Sequence, residues 1–179
     1  MTAGRPGVVV IGLGNPYRRD DGVGGAVAAA IADMALPNVI VVTSIADPMG
    51  LVEAWSGAAL AIVIDAAVAT PAAPGRIQRC TIAALGASQG ASLGAALGAD
   101  HQPRRGAGHE GLSSHSVDVA AAYELARALG RAPDVLVLLA IEAADTGHGV
   151  GLTPHVSRAV PEAVRVAVAV IAGHPSETT

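Results

Sequence analysis

Short runs of apolar residues alternate along the chain with segments whose apolar positions follow a helical spacing. Five runs rich in β-branched residues predict strands, at Val8–Leu13, Asn38–Thr43, Ala59–Ile64, Arg76–Ile82 and Asp134–Ile141. The second run is continuous, so we expect that strand to be buried. Between and after them, apolar residues recur at three- and four-residue intervals, which indicates amphipathic helices. This alternation, without internal repeats, predicts an α/β fold: a single three-layer α/β/α domain with a mostly parallel five-stranded sheet over residues 1–173, followed by a polar tail at 174–179.

The first two helices carry recognisable boundary signals. A helix is predicted from Val23, with a sheet-facing side made of Val23, Ala26, Val27, Ala30, Ile31 and Met34. Asp47 and Pro48 have the residue types of an N-cap and a first helical position, and they predict a short helix that ends near Trp55.

Two further helices are predicted in the second half of the chain. The first ends at Gly130 and carries one apolar side, made of Val119, Ala122, Tyr123, Ala126 and Leu129. The second opens at Thr153 and Pro154, and Pro161 predicts a kink or restart within it. Between the fourth and fifth strands, the Ala- and Gly-rich segment Ala83–Gly111 is long for a structureless loop, which is typical of a functional flap.

Composition narrows the possible partners. Apolar residues make up 51% of the 179 residues but aromatic residues only 2%, so the core must be built from Ala, Val, Leu and Ile. A net charge of −4 gives no electrostatic basis for binding nucleic acid or an anionic membrane. No apolar run approaches the roughly 20 residues that span a bilayer, and the N-terminus lacks a secretory signal pattern. We therefore expect a soluble, cytoplasmic protein, acting as a monomer.

Missing residue types exclude several mechanisms. All eleven basic residues are Arg, so neither a P-loop lysine nor a Schiff-base lysine is available. Cys80 is the only cysteine, which excludes an intrachain disulfide and any multi-cysteine zinc site. Because Cys80 falls inside a predicted strand, we expect it to pack in the core rather than to act as a nucleophile.

The turn after the first strand carries the first candidate chemistry. Gly12 and Gly14 allow a sharp turn at the carboxyl end of the strand, and Asp20 and Asp21 follow it. Either aspartate alone has a structural interpretation as a helix N-cap. The two glycines also match the start of a dinucleotide-binding G-x-G-x-x-G, but Tyr17 breaks that motif and two carboxylates would repel a pyrophosphate.

Two more polar residues come at the ends of predicted elements. Asp65 closes the third strand, where a buried carboxylate needs either hydrogen-bond donors or a cation. His115 lies in the first turn of the helix before the fifth strand, where the helix dipole keeps the ring neutral and able to bind metal. Structural alternatives stay open for both, as an acceptor for loop amides and as a helix cap. His101 and His109, within the long segment, are expected to be solvated.

Taken together, four segments in order resemble the hydrogenase maturation endopeptidases over nearly the whole chain. They are GLGNPYRRDDGVG at Gly12–Gly24, VIDAA at Val63–Ala67, SSHSVDV at Ser113–Val119, and IEAADTGHGVGLTPHVSRAVPEAV at Ile141–Val164. The resemblance implies a phosphorylase/hydrolase-like fold. It also implies a nickel site at Asp21, Asp65 and His115, the three residues that carry out processing. The nickel is supplied by the precursor of the [NiFe] hydrogenase large subunit, from which the enzyme removes a C-terminal peptide.

The donor types agree with that implied site. Two carboxylates and one imidazole suit a borderline divalent ion and leave coordination positions open for the precursor's own ligands and a water. Such a metal needs no Ser or Cys nucleophile. It can polarise the scissile carbonyl, activate water or only dock the substrate, and all three roles stay open.

The chain departs from the family pattern at two places. Many relatives carry a D-G-G-T-x-G segment where this chain has residues 44–50, so the acidic residue expected there is missing or displaced to Asp47. The segment Ala83–Gly111 is also longer than the resemblance implies. Both departures bear on substrate preference rather than on the fold.

Two other functions remain as alternatives. Peptidyl-tRNA hydrolase also opens with G-L-G-N-P, but its T-R-H-N segment is replaced here by Arg18–Asp21, without the catalytic histidine, and the acidic chain does not suit a tRNA ligand. A nickel-dependent docking module that has lost cleavage would use the same three ligands, and only a product assay separates it from the protease.

Overall fold

A computed structural model describes residues 7–45, 47–83 and 119–174, which form one sheet covered by helices. The strands are β1 (Val8–Gly12), β2 (Val39–Val42), β3 (Leu60–Ala67), β4 (Ile77–Ala83) and β5 (Val135–Glu142). The helices are α1 (Val23–Asp33), α2 (Pro48–Trp55), α3 (Val119–Ala128) and α4 (Pro154–Gly173), with a 3-10 helix at Arg19–Gly22. The elements therefore fall where the hydrophobic pattern predicts them.

The sheet has the strand order β2-β1-β3-β5-β4. Strands β1, β2, β3 and β5 are parallel, and β4 runs antiparallel to β5 at one edge, which confirms the mostly parallel sheet. In the register of β3 and β5, Asp65 lies opposite Ala140 and Ala67 opposite Glu142. The carboxyl ends of β1, β3 and β5 consequently meet at one edge, where parallel sheets bind their ligands.

Side chains alternate between two apolar layers, as expected for a sheet that is covered on both faces. Val10, Ile62 and Leu139 face the side on which α1 and α4 pack. Residues of the opposite parity, such as Val63, pack on the side of α2 and α3, where the Trp55 and Tyr123 rings meet edge to face with centroids 6.4 Å apart. The predicted three-layer α/β/α arrangement is confirmed.

Several local predictions are wrong, among them Leu129, which was placed on the apolar side of the helix that ends at Gly130 but is half exposed. The second strand was expected to be buried, but β2 lies at an edge of the sheet and Ile40 is half exposed. Met34 ends α1 as an exposed C-cap instead of facing the sheet. Of the two outcomes predicted at Pro161, a restart does not occur, since α4 is one helix, and Ala163 and Ala167, two and six residues further on, are fully buried.

Other predictions concern residues that the structure does not describe. The segment Ala83–Gly111, apart from its first residue, lies outside the described ranges, and so do His101, His109 and the tail that follows His174. Among the helices that are described, none is long and apolar enough to cross a membrane.

Candidate functional site

The turn after β1 is built so tightly that it has no space for side chains at its glycines. Gly14 has a φ of +104°, and a Cβ there would lie 1.7 Å from the Asp21 carbonyl oxygen. A Cβ on Gly24, at the start of α1, would lie 2.3 Å from the Ile64 carbonyl oxygen of β3. The close approach of the turn, the 3-10 helix and the neighbouring strand therefore depends on glycine. It fixes both aspartates of the turn at the carboxyl edge of the sheet.

Two of the three predicted site residues come together at this edge. Asp21 is 2% exposed and Asp65 is 7% exposed. Asp21 Oδ2 accepts a hydrogen bond from the Asn15 N–H at 2.9 Å, and Asp65 Oδ1 accepts one from the N–H of the adjacent Ala66 at 2.8 Å. Asp65 was expected to close its strand but lies within it, since β3 continues to Ala67. Its position in the strand gives it the parity of Val63, and hence the face of α2 and α3.

The electrostatics of Asp65 reflect this surrounding. Burial raises its pKa to about 7, the single N–H of Ala66 opposes that rise, and the negative charge of Asp21 adds to it. Each effect has a direct physical cause, because a buried carboxylate loses hydration and a neighbouring carboxylate repels a second charge. Among the described residues, no basic side chain forms an ion pair with Asp21 or Asp65. A bound cation would compensate the negative charge of the two carboxylates.

The third predicted residue, His115, lies outside the described residues. Helix α3, which is described from Val119 onwards, packs on the face of the sheet that carries Asp65. Its C-terminal end is tied to the amino end of the sheet, because Arg131 Nε donates to Ser56 Oγ at 3.2 Å and the Asp134 N–H to the Ala58 carbonyl at 3.1 Å. In the ranges that the structure covers, no three His, Cys, Asp or Glu side chains form a metal-binding group.

Asp20, next to Asp21, has the opposite surrounding. Its carboxylate is fully buried and accepts four hydrogen bonds, from the N–H groups of Ala144, Asp145 and Thr153 at 2.9, 3.0 and 2.6 Å and from Thr153 Oγ1 at 2.8 Å. Burial alone would raise the pKa of Asp20, but these donors outweigh it and hold the pKa below its usual value. Asp20 therefore joins the turn after β1 to the loop after β5.

This role differs from the N-cap interpretation considered for the two aspartates. The N-cap of α1 is Gly22 and that of the 3-10 helix is Arg18, and neither makes a side-chain capping bond. The sequence signal for the partner of Asp20 was the Thr153–Pro154 pair, which opens α4 as predicted. Nothing in the sequence indicated that Thr153 would donate to Asp20, because the two residues are 133 positions apart.

Glu142 is a further buried carboxylate, and sequence reasoning did not single it out. It lies at the end of β5 and accepts from the Ala73 N–H and from Gln78 Nε2, both at 2.8 Å, and it pairs with the guanidinium of Arg76. Burial opposes its charge, but these partners outweigh the effect and lower the pKa of Glu142. Glu142 therefore fastens the start of the antiparallel strand β4 to β5.

Asp47, considered above as a displaced acidic residue of the family pattern, has a structural partner. Its Oδ1 accepts the N–H of Gly50 at 2.9 Å, and Pro48 follows as the first helical residue. The predicted N-cap of α2 is thus confirmed.

Comparison with solved structures identifies a shared fold. Hydrogenase maturating endopeptidase HybD from E. coli superposes with a TM-score of 0.72 at 20% identity, covering 92% of this chain and 91% of that one. The [NiFe] hydrogenase maturation protease HybD from Thermococcus kodakarensis gives 0.68 at 22% identity, with 91% and 97% covered. HycI from Thermococcus kodakarensis KOD1, also a [NiFe] hydrogenase maturation protease, gives 0.61 at 16% identity, with 96% of each chain covered.

No family model and no curated protein matches the sequence. The resemblance found in the sequence motifs is nevertheless confirmed at the level of the fold, over more than nine-tenths of the chain.

Proposed function

We propose that this chain is an endopeptidase that removes the C-terminal extension from the nickel-loaded precursor of a [NiFe] hydrogenase large subunit, and that Asp21, Asp65 and His115 bind the precursor's nickel. The observation that carries the proposal is the Asp21–Asp65 pair. Two buried carboxylates with one described N–H donor each lie together at the carboxyl edge of the sheet. The shared fold with maturation proteases supports the same assignment.

The placement of α3 supports the third ligand. Its C-terminal end is tied to the amino end of the sheet, so its N-terminal end is directed towards the edge where Asp65 lies. An imidazole added to two carboxylate oxygens gives a donor set of borderline hardness, which suits Ni²⁺.

The raised pKa of Asp65 has a consequence for binding. A divalent cation favours the charged carboxylate, so nickel binding expels the proton that Asp65 otherwise keeps near neutral pH. Three protein ligands fill only part of a nickel coordination shell, so the free enzyme is expected to hold the metal weakly. A precursor that brings both the ion and further ligands places its own scissile bond beside the site at high effective concentration.

The decisive experiment compares two forms of one precursor. We expect the purified protein to shorten the nickel-loaded precursor once, near its C-terminus, and to leave the nickel-free precursor and generic peptides intact. Mass spectrometry of each precursor after incubation measures the product. The matched control variant is Asp47→Asn, which alters a carboxylate at the start of α2 that serves only as a helix cap and should still process the nickel-loaded form.

Equal cleavage of both precursor forms would contradict the role of nickel. Binding of the nickel-loaded form without any product would favour the docking module, and hydrolysis of peptidyl-tRNA in a parallel assay would favour that enzyme class instead.

A further inference from the structure

A cleft of about 390 Å³ opens between the turn that carries Asp21 and the loop after β5. It is lined by residues of two loops, the one after β1 and the one after β5: Asn15, Tyr17, Arg18, Thr146, Gly147 and His148. Asn15 connects the cleft to the proposed nickel site, since its backbone N–H donates to Asp21 Oδ2. One residue of the cleft lining is thus hydrogen-bonded to a proposed nickel ligand.

The two walls of this cleft are held together by backbone hydrogen bonds. The Arg19 N–H donates to the Gly149 carbonyl at 2.9 Å, and the Gly149 N–H donates to the Tyr17 carbonyl at 3.0 Å. Asp20 joins the same two loops through its bonds to the N–H groups of Ala144 and Asp145. The cleft is thus preformed, and a ligand does not have to bring its walls together.

Arg18 has a donor in this cleft that the described residues leave unpaired. Its Nε donates to the Thr146 carbonyl at 3.3 Å, which fixes the guanidinium against the second wall. Its Nη1 is buried and has no hydrogen-bond partner within the described ranges. An unpaired buried donor is costly, and a guanidinium forms its strongest hydrogen bonds with carboxylates.

Arg19, the next residue, provides the contrast. Its guanidinium lies outside the cleft lining, where it forms an ion pair with Asp145 at 3.2 Å and donates to the His148 carbonyl at 3.4 Å. For Arg18, by contrast, no described carboxylate lies within ion-pair distance. One of two adjacent arginines is thus paired with a carboxylate, and the other has no carboxylate partner among the described residues.

Exposed apolar side chains lie beside this charge. Tyr17 is 71% exposed, and Val150, which follows the Gly149 that pairs with the Tyr17 backbone, is 81% exposed. Apolar residues around a polar cleft are typical of surfaces that bind protein or peptide segments. A peptide that carries a carboxylate matches both features.

We propose that this cleft binds the C-terminal extension of the precursor and that Arg18, whose side chain lines the cleft, determines specificity by donating from its guanidinium to a carboxylate of that peptide. The inference rests on the proposed function, because the extension is the part of the substrate that must lie beside the nickel. The carboxylate belongs either to an acidic side chain of the extension or to its terminal α-carboxylate.

The test measures processing of the nickel-loaded precursor by wild type, Arg18→Gln, Arg18→Lys and the matched control Arg19→Gln. Loss of a charge-assisted hydrogen bond to substrate should raise KM about 10-fold or more in Arg18→Gln while kcat stays within about twofold. Arg18→Lys keeps the charge without the forked geometry and should recover part of the loss. Arg19→Gln should stay within about twofold of wild type in both constants. An unchanged KM in a folded Arg18→Gln protein would overturn the inference.

A second measurement changes only the substrate and does not depend on folding of a variant. Precursors whose extension carries Asn or Gln in place of its acidic residues, or a C-terminal amide, are processed by the wild-type enzyme. One of these changes should reproduce the increase in KM and should have no further effect with Arg18→Gln. If neither change affects KM, the carboxylate assignment is wrong.

Failure of this inference and failure of the proposed function give different results. If wild type processes the precursor and Arg18→Gln does so equally well, only the inference fails. If wild type processes nothing, the proposed function fails. Binding of a fluorescein-labelled extension peptide, followed by anisotropy, then tests the cleft alone. Arg18→Gln should weaken that binding about 10-fold or more, and equal binding by the two proteins would contradict the role of Arg18.

Discussion

Asp20 and Asp21 are adjacent, acidic and buried, and they have opposite surroundings. Asp20 accepts four hydrogen bonds from the loop after β5, which hold its pKa low. The described hydrogen bond of Asp21 comes from Asn15, and its charge raises the pKa of Asp65. The number of donors around a buried carboxylate, rather than its burial, therefore separates a structural acid from a candidate ligand.

The same difference appears between the neighbouring strands. Glu142 at the end of β5 has three partners and a lowered pKa, whereas Asp65 in β3 accepts from the N–H of Ala66 and has a raised one. Four buried acids thus lie at one edge of the sheet, and two of them have their charge satisfied by the protein. The other two, Asp21 and Asp65, are the proposed nickel ligands.

The largest effect is expected from removing the negative charge of Asp21 or Asp65. Asp21→Asn and Asp65→Asn should each abolish processing of the nickel-loaded precursor, because each removes a proposed ligand. His115→Ala should do the same. Far-UV circular dichroism should stay close to wild type in all three, and each variant should still unfold in one cooperative transition. Full processing by any of these variants in a folded state would remove that residue from the site.

The matched change one residue earlier should act on stability. Asp20→Asn weakens a carboxylate that four donors surround, so we expect the free energy of unfolding to fall by about 3 kcal/mol or more. Urea denaturation followed by circular dichroism measures this. The fraction that remains folded should still process the precursor. A stable Asp20→Asn protein without activity would reverse the roles assigned to the two aspartates.

The pH dependence of stability sharpens the comparison further. Because the pKa of Asp65 is raised from 3.8 to about 7 in the folded state, its contribution to stability is fully present below pH 3.8 and is lost as the pH rises through 7. Asp65→Asn should remove this dependence. Measured without metal from pH 4 to pH 8, the variant should gain about 4 kcal/mol relative to wild type.

Asp20 and Glu142 act in the opposite direction, because both have a lowered pKa in the folded state. Each stabilises the folded state at pH values above its ordinary pKa, and this contribution is lost as the pH falls. Both residues are present in wild type and in Asp65→Asn, so their effects cancel in the difference. A difference that does not change with pH would contradict the raised pKa of Asp65.

The smallest effect is expected at Cys80, which belongs to neither group of buried carboxylates. It is half-buried in β4 and packs against the apolar layer of α2 and α3, away from the carboxyl-edge residues. Cys80→Ser should therefore process the precursor at a rate within about twofold of wild type, and serine- and cysteine-directed inhibitors should leave activity intact. Inactivation by a reagent that modifies only Cys80, in a protein that stays folded, would indicate a thiol mechanism.

Much of the fold followed from the sequence because its signals are local. The apolar runs placed five strands, the Asp47–Pro48 and Thr153–Pro154 pairs placed two helix starts, and the glycines placed the first turn. The antiparallel direction of β4 and the exposure of Ile40 depend on which strands become neighbours, and a single strand's pattern does not contain that information.

The candidate site was predictable only in part for the same reason. Motif resemblance selected Asp21 and Asp65, and the structure brings them together. The opposite role of Asp20 depends on donors more than 120 positions away in the sequence, and that of Glu142 on Ala73 and Arg76 across the antiparallel pair. His115 stays a prediction, because it lies outside the described residues.

Gly24 and Gly25, the two consecutive glycines of α1, differ in whether they can be replaced by alanine. A single methyl group at Gly24 would be forced to within 2.4 Å of the Leu13 carbonyl oxygen and 2.3 Å of that of Ile64, whereas at Gly25 it would meet nothing within 4 Å. An engineer who wishes to stiffen the helix has a free position at Gly25, where alanine lowers the entropy of the unfolded chain. At Gly24 the same methyl would act as a wedge between helix and sheet. It would force the turn that carries Asp20 and Asp21 away from β3. The positions of these carboxylates therefore depend on the absence of a Cβ at Gly24.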